Sequence, residues 1–350
     1  MKYKKLIFYW LLAVSILPLI ALFNFVVDPH QQYRNSSFYP ITYQHGRELN
    51  AGLAKNFDYD SVILGTSMME NFVLSDVKNI LKFQKPIKMT MAGSSIYEQS
   101  IMLSTALRHR EVKNVLMGLD FFSFYGCVNR LKYGEEFFPF YLYDENILND
   151  YKYLASLDTL VLSFESLARK FENTSKNPLY DFEKMYEWHS KNDEDNVLKQ
   201  VEQKYKDKAQ FDNNTKDKEK KLEYLISNFE FNLKPLIGEN PNIEFTLVFP
   251  PYSVLAYKVY EEREQLQEFV AFKIHVIESL KRYKNVKIYD FQLANEVTHD
   301  LNNYYDLYHY KKYITKWMLE QIKIKNYKVD ENETCKYVDF VRDVGVYVPQ

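Results

Sequence analysis

The chain has 350 residues, of which 46% are hydrophobic and 26% are charged. This composition is typical of a globular protein and excludes an intrinsically disordered chain. The net charge of −2 lacks the basic excess of nucleic-acid-binding domains, so no nucleic-acid partner is expected. The two cysteines, Cys127 and Cys335, exclude a disulfide-rich scaffold and a cysteine-ligated zinc site, and they leave one disulfide open if the domain is extracytoplasmic.

The amino terminus predicts a membrane anchor. Lysines at positions 2, 4 and 5 precede a run of 22 uncharged residues, Leu6 to Val27, which is long enough to cross a hydrocarbon core as a helix. A cleaved signal peptide is the alternative, but the end of the run lacks a small-x-small cleavage site. Lysines before the run and none directly after it place the amino terminus in the cytoplasm and the remainder of the chain outside.

From residue 61, short apolar runs alternate with amphipathic segments. Repeated βα units predict an α/β fold with a parallel sheet and right-handed crossovers. The tail from residue 326 is predicted to return as a strand. Strands are predicted at 61–64, 87–91, 114–119, 243–249 and 286–290, and helices at 75–83, 97–109, 216–236, 259–283 and 311–324.

The alternation is interrupted between residues 121 and 215. This segment contains the aromatic stretch Phe137-Phe138-Pro139-Phe140-Tyr141, followed by polar helical sequence. Such a cluster either packs into a core or stacks on sugar rings, and the sequence leaves both readings open. The predicted organisation is an anchor over residues 1–27 and one extracytoplasmic domain over 28–350, with a lid-like insertion at about 121–215.

The first strand ends in a candidate catalytic turn, Gly65-Thr66-Ser67. Glycine permits a sharp turn, and Ser67 then lies at the carboxyl edge of the sheet, where α/β folds bind ligands. A helix opening at Ser67 would supply N–H groups and a positive dipole end for a developing negative charge. On these residues alone, an ordinary turn with a capping serine is the favoured interpretation.

A second polar pair, Asp306 and His309, follows the last predicted strand. A spacing of three residues lets one turn bring the carboxylate beside the imidazole. A serine hydroxyl needs a base to take its proton, and a carboxylate holds that base in the correct tautomer. Ser67, His309 and Asp306 therefore form a candidate catalytic triad; a helix-capping aspartate beside an exposed histidine is the structural alternative.

With these residues the chain resembles the SGNH/GDSL hydrolase superfamily. The resemblance implies that Ser67 is the nucleophile, Asp306 the orienting acid and His309 the base. Met91-Ala92-Gly93-Ser94 matches the family's second block and implies that the N–H groups of Gly93 and Ser67 form the oxyanion hole. It also implies a three-layer α/β/α sandwich around a central, mainly parallel five-stranded sheet, here preceded by one transmembrane helix.

The chain departs from the family pattern at two blocks. The first block reads Gly-Thr-Ser-Met instead of Gly-Asp-Ser-Leu. The third block has Asp120 where the family has an asparagine that donates to the oxyanion. An ionised Asp120 would repel an oxyanion, so this side chain is expected to be protonated, turned away or engaged in another role. Ser94 and Ser95 are alternative nucleophiles, although they lie where the family places an oxyanion donor.

No metal or cofactor is expected. The sequence contains no P-loop, GxGxxG or GxSxG motif. The remaining histidines lack metal-ligand spacing. They are His30, His45, His109, His189, His275 and His299.

The anchor extends the resemblance to bacterial cell-envelope proteins such as the alginate O-acetyltransferase group and the D-alanyl-lipoteichoic acid transfer protein. Pro250-Pro251-Tyr252 after the fourth strand is also similar to this group. The resemblance implies a serine esterase or O-acyl(acetyl)transferase in the cytoplasmic membrane, acting outside it on a cell-envelope polysaccharide, with a glycan or acyl donor and a membrane acyl-transfer protein as partners. The alternatives are a non-catalytic scaffold with the same fold, favoured by Asp120, and a cytoplasmic protein that buries the apolar run.

Overall fold

The computed structural model describes residues 2–171, 178–187, 199, 201–203, 205–206, 221–330 and 335–347, without the side chains of 2, 4–14 and 178. Within these ranges, five strands form one parallel sheet in the order β2-β1-β3-β4-β5. This confirms the predicted α/β class and the parallel five-stranded sheet. The strands are β1 Ser61–Leu64, β2 Pro86–Lys88, β3 Asn114–Gly118, β4 Glu244–Phe249 and β5 Val286–Asp290.

The central strands are covered on both faces, which explains why they appear in the sequence as continuous apolar runs. All four residues of β1 are buried, and so are the last five of β4. In the register of the sheet, Ile63 lies opposite Leu116, and Leu247 lies opposite Ile288. The carboxyl ends of β1 and β3 are adjacent at the point where the strand order reverses, which is where such sheets bind ligands.

Helices cover the sheet in two groups. The chain adds β2 on one side of β1 and β3 on the other, so right-handed crossovers place the two connecting helices on opposite faces. The arrangement is compatible with a three-layer sandwich. The α-helices of the described residues, without the 3₁₀ and π-helical segments, are α1 Lys2–Val27, α2 Gly46–Asn56, α3 Leu74–Leu81, α4 Ile96–His109, α5 Phe140–Tyr143, α6 Tyr151–Leu154, α7 Leu157–Ala168, α8 Leu222–Asn228, α9 Lys234–Glu239, α10 Val254–Glu262, α11 Leu266–Leu280, α12 Asn295–Thr298, α13 Tyr313–Ile324 and α14 Lys336–Val346.

Two predicted elements are wrong. The helix expected over 259–283 is a pair, α10 and α11, separated by a turn in which Glu264 has a φ of 58°. The tail expected to form a strand contributes a single bridge, Tyr289 to Lys328, and then folds as α14. Its apolar positions recur at helical spacing, which a strand would have divided between two faces; the residues that α14 buries are Tyr337, Phe340 and Val344.

The predicted long helix at 216–236 is also interrupted. Residues 216–220 lie outside the described ranges. From residue 222, α8 continues through a π-helical segment, Phe229–Leu233, into α9. The insertion at 121–215 lies partly outside the described residues, and its described portion consists of short helices and loops. The domain boundaries and the lid-like role of this segment stay predictions.

At the amino terminus, α1 is a single helix that ends where Asp28 adopts a φ of 53°. The Asp28 carboxylate accepts hydrogen bonds from the backbone N–H groups of Gln32, Tyr33 and Arg34, at 2.8, 2.8 and 3.1 Å. Among the side chains that are described, no helix combines the length and apolar character needed to cross a membrane. The side chains of 13 of the 27 residues of the predicted anchor, 1, 2 and 4–14, lie outside that set, so the anchor stays a prediction.

Candidate active site

The turn that carries Ser67 is held in place by its neighbours in the chain. Gly65, directly after β1, has a φ of 146°, and a Cβ there would lie 2.6 Å from the Cγ of Met69. The Thr66 hydroxyl accepts a hydrogen bond from the N–H of Met68 at 3.3 Å. The helix expected to open at Ser67 is one 3₁₀ turn, Ser67–Met69, and α3 begins at residue 74. The turn leaves Ser67 partly exposed at the carboxyl edge of the sheet.

The three predicted triad residues come together in the structure. The Oγ of Ser67 lies 2.9 Å from the Nε2 of His309, and the Nδ1 of His309 lies 2.9 Å from the Oδ2 of Asp306. The other oxygen of Asp306 accepts the backbone N–H groups of Tyr308 and His309, both at 2.8 Å. With Nδ1–H donating to Asp306, Nε2 is the acceptor that can take the proton of Ser67.

The electrostatics favour an ionised Asp306 beside a basic His309. Burial raises the pKa of the Asp306 carboxyl, but its hydrogen bonds and the charge of His309 outweigh burial and hold that pKa well below its usual range. Burial likewise lowers the pKa of His309, but Asp306, and more weakly Asp120 and Glu70, raise it above its usual value. The side chains of His309 and Asp306 are 28% and 24% exposed, so a substrate can reach the pair.

Asp120 connects the ends of three adjacent strands. Its Oδ2 accepts a 2.7 Å hydrogen bond from the hydroxyl of Thr66, after β1. Its Oδ1 accepts the hydroxyl of Tyr252, after β4, and the N–H of Phe122 at 3.3 Å. The side chain is buried, and burial raises its pKa. Of the roles considered for Asp120, the structure shows a structural one: it is the acceptor that ties β1, β3 and β4 together below the serine.

Replacing Asp120 by asparagine is expected to lower the free energy of unfolding by about 1–3 kcal/mol, the usual cost of leaving a buried hydrogen-bonding group unsatisfied. The new NH₂ group would face a donor hydroxyl of Thr66 or Tyr252, so one acceptor is lost. Urea denaturation measures the change. Asp300→Asn, at an exposed aspartate, is the matched control and should change stability by less than about 0.5 kcal/mol. Equal stability of Asp120→Asn and the wild type would contradict this acceptor role.

The second block is held by two charged residues that the sequence motifs did not reveal. Gly93 has a φ of 61°, so its peptide is oriented in a way that favours glycine. The carboxylate of Glu70 accepts the N–H of Ala92. The guanidinium of Arg47, from α2, lies 3.3 Å from the carbonyl oxygen of Ala92, which belongs to the same peptide bond as the N–H of Gly93. Arg47 therefore orients the predicted oxyanion donor.

Arg47 is itself fixed by a buried carboxylate. Its Nε and one NH₂ group contact the two oxygens of Glu98 at 2.7 and 3.3 Å. Glu98 also completes the capping box of α4 with Ser95, whose hydroxyl accepts the N–H of Glu98 at 3.1 Å. Ser94 accepts a hydrogen bond from Gln99 at 3.0 Å. Of the three candidate serines, Ser95 caps α4 and Ser94 contacts Gln99, whereas Ser67 contacts a histidine.

A cavity of about 720 Å³ lies against the second block, and its lining residues include neither a triad residue nor Gly93. Its wall includes Glu70, three residues after Ser67, and Ala92, next to Gly93. Burial raises the pKa of Glu70 to about 7, opposed by the charge of Lys88. Phe137 of the predicted aromatic cluster lines the cavity and is exposed, whereas Phe138 is buried in the core. The other aromatic side chains of the wall are Tyr43, Tyr133 and Tyr186.

Neither a family model nor a curated protein matches this chain. Within the described ranges, no group of three or more histidine, cysteine, aspartate or glutamate residues is arranged to hold a metal ion. His275 contacts Glu230 at 2.8 Å, a surface pair. Cys127 and Cys335, both in the described part of the chain, are exposed free thiols.

Proposed function

We propose that this chain is a serine esterase or O-acyltransferase of the SGNH type, with Ser67, His309 and Asp306 as its catalytic triad. The observation that carries the proposal is the pair of 2.9 Å contacts that join the hydroxyl, the imidazole and the carboxylate in series. These residues lie 242 and 3 positions apart in the chain, and their side chains meet at the edge of the sheet where substrates bind.

In the proposed reaction, the Oγ of Ser67 attacks the carbonyl carbon of an ester while Nε2 of His309 accepts the hydroxyl proton. Asp306 stabilises the imidazolium that forms. The N–H groups of Ser67 and Gly93 stabilise the negative charge on the carbonyl oxygen. The C–O bond to the leaving alcohol then breaks, His309 returns the proton to that alcohol, and the acyl group stays on Ser67. Attack by water completes hydrolysis, whereas attack by a sugar hydroxyl completes transfer.

The cavity beside the second block supports a glycan as substrate. Its wall combines aromatic and charged side chains, and this combination suits a sugar, which offers an apolar ring face and a rim of hydroxyl groups. Phe137 and Tyr133 are aromatic side chains of this wall whose exposure allows stacking. Together with the uncharged run at residues 6–27, this favours a cell-envelope polysaccharide, approached from the outer side of the cytoplasmic membrane with a membrane acyl-transfer protein as partner.

A non-catalytic scaffold is the second candidate, and Asp120 is the observation that favours it. A carboxylate cannot replace the amide that donates to the oxyanion in the family this chain resembles. The hydrogen bonds from Thr66 and Tyr252 to Asp120 give that carboxylate a structural role. The proposed oxyanion donors, the N–H groups of Ser67 and Gly93, are unaffected by it. The contacts that join the serine, the histidine and the aspartate in series support the enzyme.

The deciding experiment is acyl labelling. The full chain in detergent is incubated with p-nitrophenyl acetate and digested, and the acetylated peptide is identified by mass spectrometry. We expect an acetyl group on Ser67. Ser94→Ala should label as the wild type does, because the Ser94 hydroxyl contacts the Gln99 side chain instead of a histidine. An unlabelled Ser67, with Ser67→Ala as active as the wild type, would exclude the enzyme and leave the scaffold.

Arg47→Met is expected to lower kcat for this small ester by about tenfold to a hundredfold, within the range that misplacing a catalytic group costs. The reason is that the Ala92–Gly93 peptide loses the cation that orients it. KM should hardly change, since a small acetate ester does not fill the cavity. Steady-state kinetics separates the two constants.

Two further variants test this positioning role. Arg47→Lys keeps a cation but loses the fork that binds Glu98, so it should recover part of kcat. Glu48→Gln, beside Arg47 on α2 and on the same cavity wall, should leave kcat unchanged. A raised KM with unchanged kcat in Arg47→Met would instead show that Arg47 binds substrate.

A further inference from the structure

The helix α7 is amphipathic, but its polar side faces the protein and its apolar side faces outward. It buries small polar side chains, Thr159, Ser163 and Ser166, against the protein. Its apolar residues point outward: Leu157, Val161 and Phe164 are 66%, 55% and 60% exposed. These positions are spaced at i, i+4 and i+7, so they form one stripe along the helix. A contiguous apolar stripe facing away from the protein indicates a surface that contacts something apolar.

The same helix packs against the end of α1. The carbonyl of Ser156, just before α7, accepts a hydrogen bond from the Asn24 side chain at 3.2 Å, and the hydroxyl of Ser163 donates to that side chain at 2.9 Å. The ring of Phe164 lies 4.8 Å from the ring of Phe23 on α1, so the apolar stripe borders α1.

These contacts fix the position of α7. Asn24, in the last turn of α1, meets both the start and the middle of α7, so the two helices pack together at the carboxyl end of α1. If α1 spans the membrane, as the sequence predicts, the apolar stripe of α7 lies where that helix leaves the bilayer.

The apolar surface continues beyond α7. Ile147 and Leu148, in the turn before α6, are 78% and 81% exposed. Asp150 in the same turn accepts the hydroxyl of Tyr33 at 2.9 Å, which holds the turn at the end of α1. On α1 itself, the outward side chains in its second half are apolar: Leu17, Leu19, Leu22, Phe25 and Val26.

The charged groups around this surface fit a membrane interface. Arg34 lies 4.5 Å from the ring centre of Phe25 and donates to the carbonyl of Val26, so its charge sits at the end of α1. The charged residues of α7 itself are acidic: Glu165 is paired at 3.0 Å with Arg169, which follows the helix, and Asp158 lies in its first turn. Arg34 and Arg169 are thus the basic groups at the edge of the apolar face, as is typical of interfacial helices.

We infer that α7, with Ile147 and Leu148, rests in the interfacial layer of a lipid bilayer as a second membrane contact beside α1. The inference is independent of the chemistry at Ser67. This second contact would hold the domain in one orientation on the membrane. A single anchor helix joined to the domain by a flexible segment would instead allow the domain to rotate.

The test places a spin label on the stripe. The full chain with Cys127→Ser and Cys335→Ser carries a single nitroxide at Val161→Cys and is reconstituted into phosphatidylethanolamine–phosphatidylglycerol vesicles. Accessibility to oxygen, which concentrates in lipid, is compared with accessibility to a water-soluble nickel chelate. Val338→Cys is the matched control, an exposed valine on α14. We expect an oxygen-to-nickel ratio severalfold higher at position 161 than at 338, and Leu157→Cys should agree with 161.

Three outcomes would overturn the inference. A ratio at 161 equal to that at 338 would place α7 in water. Low accessibility to both reagents would mean that a protein, either a second copy or another partner, covers the stripe. A chain that does not float with the vesicles would contradict both this surface and the anchor. Acetylation of Ser67, measured on the same samples, reports separately on the proposed enzyme activity.

Discussion

Ser67→Ala is expected to lower the rate of p-nitrophenol release from p-nitrophenyl acetate by a factor of about 10⁶, the scale on which removing the nucleophile acts in other serine enzymes. Alanine has no hydroxyl to attack the carbonyl, and His309 alone can only activate water. The measurement is the initial rate at saturating ester, with far-ultraviolet circular dichroism to confirm that the variant is folded.

The control for this prediction is a serine of similar surroundings. Ser94 is buried at the end of the second block, close to Gly93 in the chain, and its hydroxyl contacts Gln99 instead of a histidine. Ser94→Ala should retain most of the wild-type rate. A Ser67→Ala variant that stays within a few-fold of the wild type would remove Ser67 from the mechanism.

Asp306→Asn is expected to lower the same rate by about 10⁴-fold, as the loss of the orienting carboxylate does in a serine triad. The geometry of the site explains the effect. Asparagine can present its NH₂ group to Nδ1 of His309, which then becomes an acceptor and leaves the proton on Nε2. A protonated Nε2 cannot take the proton of Ser67, which lies 2.9 Å away. Presteady-state acetylation measures this step directly.

The pH profile of the two proteins gives an independent readout. His309 acts as a base only when neutral, and Asp306 raises its pKa, so the wild-type rate should fall with decreasing pH at a value above the usual 6.5 of histidine. Removing the negative charge of Asp306 lowers that pKa and moves the fall to more acidic pH. Glu70→Gln should move it in the same direction by less, because Glu70 contributes the weakest of the three carboxylate interactions. An unshifted acid limb in Asp306→Asn would contradict the pairing.

Local sequence was sufficient to locate the sheet and the candidate triad. Short apolar runs mark the strands in the sequence, so β1 and β5 fall at the predicted residues, 61–64 and 286–290. Ser67 and the Asp306/His309 pair follow strand ends, and a parallel sheet brings those ends to one edge. Other elements were predicted less well. The break at Glu264 depends on packing that no short segment encodes, whereas α14 follows a helical spacing of apolar residues that the strand prediction for the tail overlooked.

The roles of Asp120, Arg47 and α7 became evident only from packing between distant segments. In the sequence, Asp120 is only a departure from an oxyanion motif, whereas the structure shows that the hydroxyls of Thr66 and Tyr252 donate to it. Arg47 lies on α2, 45 positions from the carbonyl it contacts, outside every sheet-edge motif. The apolar stripe of α7 can be recognised in the sequence, but the sequence does not show whether the stripe faces the protein or the outside. Periodicity specifies what a segment can bury, whereas contacts between remote residues decide what it does bury, and here those contacts turn the polar side of α7 inward.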